Sequence, residues 1–546
     1  MTAPITSEAR PRLTGEQWQR LSAYGIAADA PAGTWIFRAG DDSDMILIES
    51  GAVAIVRPAT ADDDEAIVAT YGPRQFTGEL NLLTQQSAYL GARATEASLV
   101  RRLDAGAFRA LMDRDPELSD IVLRALIARR RDLRDGQAAR TLEIVGSDAS
   151  AAALALRTYA ARLQLPHTWN DIASPAGAAL ARAVDASTGD LPVVITPGAV
   201  LRHATTSLLA EHLGLSYRPR SDEEVDLVVI GAGPAGLAAG VYGASEGLRT
   251  LVLDSVAAGG QAAASSRIEN YLGFTSGISG NDLTAAAAVQ AQKFGARIAS
   301  PCQVAELHSE PDRVRVVLAD ATTIRARAAV IATGARYRAL PLQRWADFEG
   351  AGIYYAATEI EARACGRQPV AVVGGANSAG QAALYLAARG SRVTLVVRGA
   401  DLRAGMSSYL ADRILADPAI TVRTGTEVTA LHGDSHLRQI TLTGTPAQEC
   451  AGLFCFIGAT PATAWLAGLA TDKNGFLRTD SQLHDAELGQ RWTELDRRPL
   501  PFETSLPRVF AAGDVRAGSM KRVAAAVGEG ASAVSSVHAA LRTVSA

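Results

Sequence analysis

Residues Val225 to Asp254 read VDLVVIGAGPAGLAAGVYGASEGLRTLVLD. An apolar run of strand length is followed by a glycine turn, an alanine-rich run of helical length and a second apolar run ending in an acid. That order predicts a strand, a tight turn, a crossover helix and a second, parallel strand, since parallel strands need a long crossover. Each glycine has its own task in such a unit. Gly231 makes the turn, Gly233 lets the backbone approach a pyrophosphate, and Gly236 lets helix and strand pack closely. Pro234 and Ala235 open the helix, whose unpaired N–H groups face the phosphates. Asp254 stands at the spacing of the acid that binds an adenosine ribose. An ordinary glycine-rich turn would lack the strand, helix and acid in sequence, so a dinucleotide site is the expectation.

At 546 residues the chain is too long for one hydrophobic core. A net charge of -4 with charged residues at 20% gives no overall attraction to nucleic acid or to an anionic membrane. The opening stretch MTAPITSEARPR has no apolar core, so no signal peptide is expected. Leu227 to Ser245 and Gly452 to Ala470 lack charges over membrane-like lengths, but glycines and prolines interrupt both. Each is expected to be strand, turn and helix, and the protein cytoplasmic. The four cysteines, Cys302, Cys365, Cys450 and Cys455, form no CxxC pair and suit a reducing compartment.

From about Gly33 to Leu103 the chain reads as short strands and turns, an all-β pattern. FRAGDDSDMILIESGAVAIV and FTGELNLL resemble the cyclic-nucleotide-binding domain family. The resemblance implies that Gly78, Glu79 and Leu80 cradle a cyclic phosphate and its ribose, with an arginine further along. That arginine is missing: Ser87, Ala88 and Tyr89 occupy its place, and Arg93 comes several residues late. Without its charge-assisted contact a phosphate is poorly held, so weak or no cyclic-nucleotide binding is expected. Pro116 to Arg140 is predicted as an arginine-rich helix, its arginines a solvated face.

Residues 141–216 alternate strand and helix, and Leu191-Pro192 opens a strand. The layout resembles the thioredoxin and glutaredoxin fold, in which that proline is cis. Where that family has its redox cysteines this chain has GSDASAAAL, so dithiol chemistry is excluded and a docking or spacer role is expected. Residues 217–224 are polar and read as a linker.

From residue 225 onward the motifs occur in the order of the thioredoxin reductase family of FAD-dependent pyridine nucleotide-disulfide oxidoreductases, which this part resembles. The resemblance implies that GAGPAG and Asp254 hold FAD. Gly260 and Gln261 of GGQ and Asn270 of IENYLGF would wrap it, and Thr333 and Gly334 of VIATGA would lead back to a second domain. Gly513 and Asp514 of VFAAGDV would meet the ribityl chain. VAVVGGANSAGQAALYLA would bind NAD(P)H through Gly374, Asn377, Ser378 and Ala379, although Ala376 replaces the middle glycine. Arg398 and Arg403 remain of the basic signature for the 2′-phosphate, and no acid selects NAD, so NADPH is expected.

The expected architecture is therefore multidomain: a cyclic-nucleotide-binding-like barrel with helices (1–140), a cysteine-less thioredoxin-like α/β domain (141–216), and two Rossmann-like α/β domains. The latter are an FAD domain split into 225–341 and 460–546 and an inserted NAD(P)H domain at 342–459. The family's CATC dithiol is absent, and YYAATEIEA stands there with Ala356 and Glu359 at the cysteine positions. Cys450 and Cys455 are expected to point to opposite faces of one strand. Flavin would then pass electrons directly to a small molecule or redox protein. A ferredoxin-type NADP reductase and a regulatory flavoprotein with the N-terminal domain as input remain open, and the resemblance implies a homodimer. Glu359 is either a first-turn residue of a helix capped by Thr358 and Glu361, or a carboxyl group beside the flavin that delivers a proton. In the second case Tyr354, Tyr355, Ala356 and Ala357 would line the pocket.

Overall fold

The computed structural model describes residues 7–542 except 43, 61–62, 85, 136–139, 220–223, 266 and 269. Residues 220–223 of the expected linker and 269 of IENYLGF thus lie outside the described residues.

The first domain consists of two antiparallel sheets. Ile26–Ala30, Ser98–Leu103 and Met45–Ser50 form one, and Trp35–Phe37, Gly91–Ala94, Val53–Arg57 and Ala66–Tyr71 the other. Inward-facing Ile46, Ile48, Val53, Ala92 and Val100 fill the space between them. The arginine-rich helix α1 (Pro116–Asp135), whose expected continuation over 136–139 lies outside the described residues, buries Leu118, Val122, Ala125 and Leu126 against Leu47, Phe76 and Leu103. Its arginines do not all form the expected solvated face: Arg124 and Arg131 are exposed, but Arg129 and Arg130 are buried, because Arg129 donates to the Gly78 and Phe76 carbonyl oxygens and Arg130 pairs with Glu79.

The second domain runs β1 (Glu143–Gly146), α2 (Ala151–Arg162), β2 (Thr168–Asp171), α3 (Pro175–Ala183), β3 (Val193–Thr196), β4 (Ala199–Leu201) and α4 (Thr206–His212). The sheet order is β4-β3-β1-β2, with β1 and β2 parallel and β3 antiparallel to β1. The Leu191-Pro192 peptide is cis. Serines or threonines at 150, 174 and 205 cap the three helices, so local sequence alone marks where each begins.

The third domain contains β5 (Val225–Ile230), α5 (Pro234–Ser245), β6 (Thr250–Leu253), α6 (Gly280–Lys293), β7 (Arg297–Ala299), β8 (Val304–Ser309), β9 (Val314–Leu318) and β10 (Thr323–Ile331). The sheet order is β7-β6-β5-β10-β9-β8, and β5, β6, β7 and the second half of β10 are parallel. All six residues of β5 are buried, as expected of a strand covered on both faces.

Residues 335–337 pair antiparallel with 459–461, a two-stranded ribbon that carries the chain out and back. Between its arms lie β11 (Ile353–Tyr354), α7 (Glu359–Ala364), β12 (Val370–Val373), α8 (Asn377–Ala388), β13 (Val393–Val397), β14 (Ile420–Thr424) and β15 (Gly452–Cys455). These strands form a parallel sheet in the order β11-β15-β12-β13-β14. The chain then returns β16 (Val509–Ala511) to the third domain beside β10 and lays α9 (Val523–Arg542) along α5. The contact is close because Gly530 faces Ala235, whose carbonyl oxygen would lie 2.1 Å from a Cβ there.

Among the described residues no helix is long and apolar enough to cross a membrane. Leu227 to Ser245 is strand, turn and helix, but Gly452 to Ala470 is not. It gives β15, the ribbon strand and a loop, because Ala459, Thr460 and Pro461 pair with 335–337 and the Thr463 hydroxyl donates to the Gly475 carbonyl oxygen at 2.9 Å instead of capping a helix.

Candidate functional site

The turn after β5 shows why the three glycines differ. Gly231 has φ 106°, and a Cβ there would lie 2.3 Å from the Ala332 carbonyl oxygen. At Gly236 a Cβ would lie 1.7 Å from the Gly231 carbonyl oxygen, so helix and turn are in direct contact. Gly233 is different. It is the N-cap of α5, and a Cβ on it would meet nothing nearer than the Gly260 Cα at 3.8 Å. Gly260, with φ 55°, faces it from the GGQ loop, so two residues without side chains flank the open N-terminus of α5. With Pro234 at the first helical position, this is a phosphate-sized cradle lined by backbone, and it fits the diphosphate of a dinucleotide.

Asp254 ends β6, and its carboxylate accepts hydrogen bonds from the Ala232 N–H at 2.8 Å, Val256 N–H at 2.9 Å and Ala257 N–H at 3.0 Å. Burial pushes its pKa up in spite of those three donors. The side chain thus ties the glycine turn to the loop after β6. Gln261 donates through Nε2 to the Ala335 carbonyl oxygen, and the Thr333 hydroxyl donates to the Ala462 carbonyl oxygen at 3.1 Å. Both bonds brace the mouth of the two-stranded ribbon, with Gly334 between them at φ 67°. Asn270 is exposed.

The Gly513 turn sits against the start of α5, where a Cβ would lie 2.9 Å from that of Ala235. Glu529 of α9 holds this turn, accepting from the Gly513 N–H at 2.7 Å while pairing with Arg516 at 2.9 Å. Asp514 projects beyond it; burial raises its pKa, and the Lys521 ammonium opposes that rise. Tyr337 also faces the region, its hydroxyl pKa pushed up to about 12 by burial, and it stacks on Tyr355 with centroids 5.6 Å apart.

The second domain packs against the third beside Asp254. The Tyr159 hydroxyl of α2 donates to the Ser300 carbonyl oxygen at 2.8 Å, and Ala257 is buried inside the second domain's core cluster. Arg162, at the end of α2, is half-buried; desolvation lowers its pKa, while the charges of Asp254 and Glu361 oppose that fall. Glu529 and Arg162 had no local signature. One lies in KRVAAAVGEGASAV, a stretch that the resemblance reads as a helix leading toward the flavin with no residue in it singled out, and the other belongs to a different domain.

In the inserted domain Gly374 has φ 146°, and a Cβ there would lie 2.5 Å from the Phe456 carbonyl oxygen. Ala376 is the N-cap of α8, so its methyl group stands where Gly233 leaves open space in the first turn. Asn377 spends its side-chain oxygen on the Ser407 N–H at 2.8 Å; Ser378 is exposed, while Ala379 is fully buried in the core. Arg398 is exposed at the end of β13, and Arg403 is paired with Asp412. Of the two expected 2′-phosphate cations, Arg398 is thus the one not engaged in an ion pair among the described residues.

The Glu359 carboxylate is paired with Arg363 of its own helix and with Arg389 after α8, and accepts from the Tyr385 hydroxyl at 3.3 Å. Thr358 bonds Glu361 through its N–H at 3.0 Å and through its hydroxyl, the local bond that starts α7. The expected pocket walls differ as well. Tyr354 is buried against Phe454 with ring centroids 5.3 Å apart, and Ala357 lies in the same core, because β11 joins the sheet and carries them inside.

All four cysteines are free and buried. Burial pushes the thiols of Cys302, Cys365 and Cys450 up to about 12 and that of Cys455 to about 11. Cys450 and Cys455 do not take opposite faces. Cys450 precedes β15, and both enter one apolar cluster with Ile440 and Leu453.

In the first domain, Glu79 is bound by both Nε and Nη2 of Arg130 from α1, with both side chains largely buried. The Tyr89 ring lies 5.5 Å from that guanidinium. Arg93 pairs with Glu65 at 2.9 Å and covers the Trp35 ring.

Residues 225–530 match the sequence profile of the pyridine nucleotide-disulphide oxidoreductases, and residues 29–115 that of the cyclic nucleotide-binding domain. A thioredoxin reductase of Treponema pallidum (strain Nichols) is 32% identical over 324 residues, 58% of this chain and 97% of the relative. One from Streptomyces clavuligerus is 33% identical over 315 residues, 56% of this chain and 91% of the relative. Among solved structures, T. acidophilum thioredoxin reductase superposes with a TM-score of 0.50 at 27% identity, covering 58% of this chain and 99% of that one.

Proposed function

The chain belongs to the pyridine nucleotide-disulphide oxidoreductase family, whose thioredoxin reductases use FAD and NADPH, and from that premise we propose that it is an NADPH-driven flavoenzyme working without a dithiol relay. One observation carries this reading: no cysteine stands in the segment from Ala356 to Glu359, and each of the four thiols is buried and held protonated. A relay needs a thiolate that can attack and a second thiol to resolve it. When bound, FAD supplies the two-electron step between NADPH and an acceptor, which is a small molecule or a redox protein. The backbone at Gly233 and Gly260 would receive its diphosphate, and the turn held by Glu529 would place Asp514 at the ribityl chain.

The test is anaerobic mixing with NADPH followed by an acceptor. Rapid bleaching of the flavin supports the reading, and an unchanged spectrum sinks it. A variant with all four cysteines replaced by alanine or serine is expected to keep both half-reactions within about two-fold of wild type. The small change expected reflects lost packing at buried sites rather than lost chemistry. Disulfide reduction that vanishes in this variant would overturn the proposal.

Arg398 is read as the residual 2′-phosphate cation. Arg398→Ala is expected to raise the KM for NADPH about ten-fold with kcat nearly unchanged, a loss of uniform binding. An equal effect on NADH would remove that role. Glu359 is read as a helix-pairing acid. Glu359→Gln is expected to reoxidise at the wild-type rate across the pH range, and a slowed, pH-shifted reoxidation would restore the proton-donor reading.

The order β4-β3-β1-β2 supports reading residues 141–216 as a thioredoxin-like domain stripped of its thiols. Its role here is docking: α2 leans on the inserted domain, where Gly350 approaches Ala151 and Leu154 joins the core, and Tyr159 ties it to the flavin domain.

A further inference from the structure

A cavity of about 790 Å³ lies where the first domain, the second domain, the linker and the flavin domain meet. Seven arginines line it against two carboxylates, Asp42 and Asp282. The first domain supplies Arg109, Arg130, Arg131 and Arg134, the second Arg162, the linker Arg218, and the flavin domain Arg297 at the start of β7. Some are engaged within the protein. Arg130 holds Glu79, Arg134 meets the Gln164 side chain, and Arg297 covers the Tyr217 ring. Among the described residues, Arg109, Arg131, Arg162 and Arg218 form no ion pair with any carboxylate.

Like charges gathered around one cavity repel, and assembling four separate chain segments around them costs stability unless an anion shares the space. We propose that this junction is a binding site for an organic polyphosphate, a nucleotide carrying two or more phosphate groups. Guanidinium groups present paired donors that match phosphate oxygens, and several spread over one cavity suit several phosphates. The volume lies within the roughly 300–1,000 Å³ range of small-molecule sites and exceeds what a bare inorganic anion needs. On the walls between the arginines, Leu83 and Ile127 face Ala285 and Val289 of α6, an apolar slot for the organic part.

The cavity adjoins the site built on Asp254, whose charge acts on Arg162, without coinciding with it. No glycine of the GAGPAG turn lines it, and neither Asp254 nor Asp514 does. It borders the cyclic-nucleotide position, since Leu80 and Ser87 of that stretch line it together with Arg130, which holds Glu79; cyclic AMP is therefore the probe that tells the two ligand classes apart. Because its walls come from every part except the inserted domain, an occupant would tighten the N-terminal domains against the flavin domain. A ligand that binds this closed arrangement shifts the protein toward it in proportion to its affinity.

The experiment is calorimetry on the full-length, FAD-loaded protein at about 0.15 M salt, with ATP, inorganic pyrophosphate and cyclic AMP as probes. ATP is expected to bind with a micromolar constant, pyrophosphate more weakly and cyclic AMP not measurably, with the ATP affinity falling as salt rises. The exposed pair Arg131→Gln and Arg218→Gln is expected to weaken ATP at least ten-fold while the flavin absorbance per chain stays at its wild-type value. Arg109→Gln alone, away from both the linker and α1, is a second variant with the same expected direction. The proposal is overturned if neither ATP nor pyrophosphate binds, if the variants bind as wild type does, or if ATP displaces FAD.

Discussion

Gly233→Val is expected to give a folded protein without flavin. The backbone at Gly233 has φ -74° and ψ -175°, a region open to any residue, so valine imposes no strain. On the protein side its Cβ would meet only the Gly260 Cα at 3.8 Å, an ordinary contact. On the ligand side its methyl groups would enter the space where the diphosphate meets the N-terminus of α5. The expected loss of FAD affinity is at least about 100-fold, roughly 2.7 kcal/mol. The same change at Gly236 should be different in kind: a Cβ 1.7 Å from the Gly231 carbonyl oxygen forces α5 off the turn and destabilises the domain. The measurement is circular dichroism beside the visible flavin spectrum. A yellow Gly233→Val protein with one FAD per chain would remove the assignment of this turn, and a colourless but unfolded one would show that the cradle is rigid packing.

The contrast between those two glycines indicates what a sequence discloses. Gly231, Gly236 and the acid at 254 are legible because their requirements are local: a turn, a close approach, a strand end within thirty residues. The β and α/β segments are legible for the same reason, whereas the return of VFAAGDV to the third domain's sheet is legible only through the resemblance that orders the motifs, because its partner β10 is far away in the chain. What escaped depends on partners distant in the chain. Asp254 sits at the ribose spacing, yet its carboxylate is occupied by three backbone donors, one of which, Ala232, comes from the glycine turn 22 residues away. Glu359 has the position of a redox residue, but Arg389, thirty residues on, decides where its carboxylate goes. Gly452 to Ala470 has the composition of strand, turn and helix, and the ribbon pairing with 335–337 claims the residues after the turn as a strand. Tertiary pairing overrides composition where local signals are weak.

The first domain provides the other large effect. Its Glu79 sits where the resemblance places a ribose ligand, but Arg130 takes both its oxygens from the far side of α1. The side chains are 7% and 16% exposed for Arg130 and Glu79, so the pair is largely withdrawn from water. Removing one partner of a buried pair strands the other charge, which typically costs about 3–5 kcal/mol. Glu79→Ala is therefore expected to lower the stability of the N-terminal domain by about that amount, read as an earlier first transition in denaturant. Replacing both partners with apolar residues of similar volume, Glu79→Leu with Arg130→Met, should recover most of the loss, since no charge is then left unpaired. The same pairing bears on cyclic nucleotides. To bind a ribose hydroxyl, Glu79 would have to leave Arg130, and its ligand would have to make up for that broken pair without the missing phosphate arginine. Calorimetry with cyclic AMP should therefore show no binding in the wild type, and Arg130→Met should not create it, because freeing the carboxylate supplies no cation for the phosphate. A micromolar constant for cyclic AMP in the wild type, or a Glu79→Ala variant as stable as the parent, would show that the ion pair yields readily and that the domain retains its ligand site.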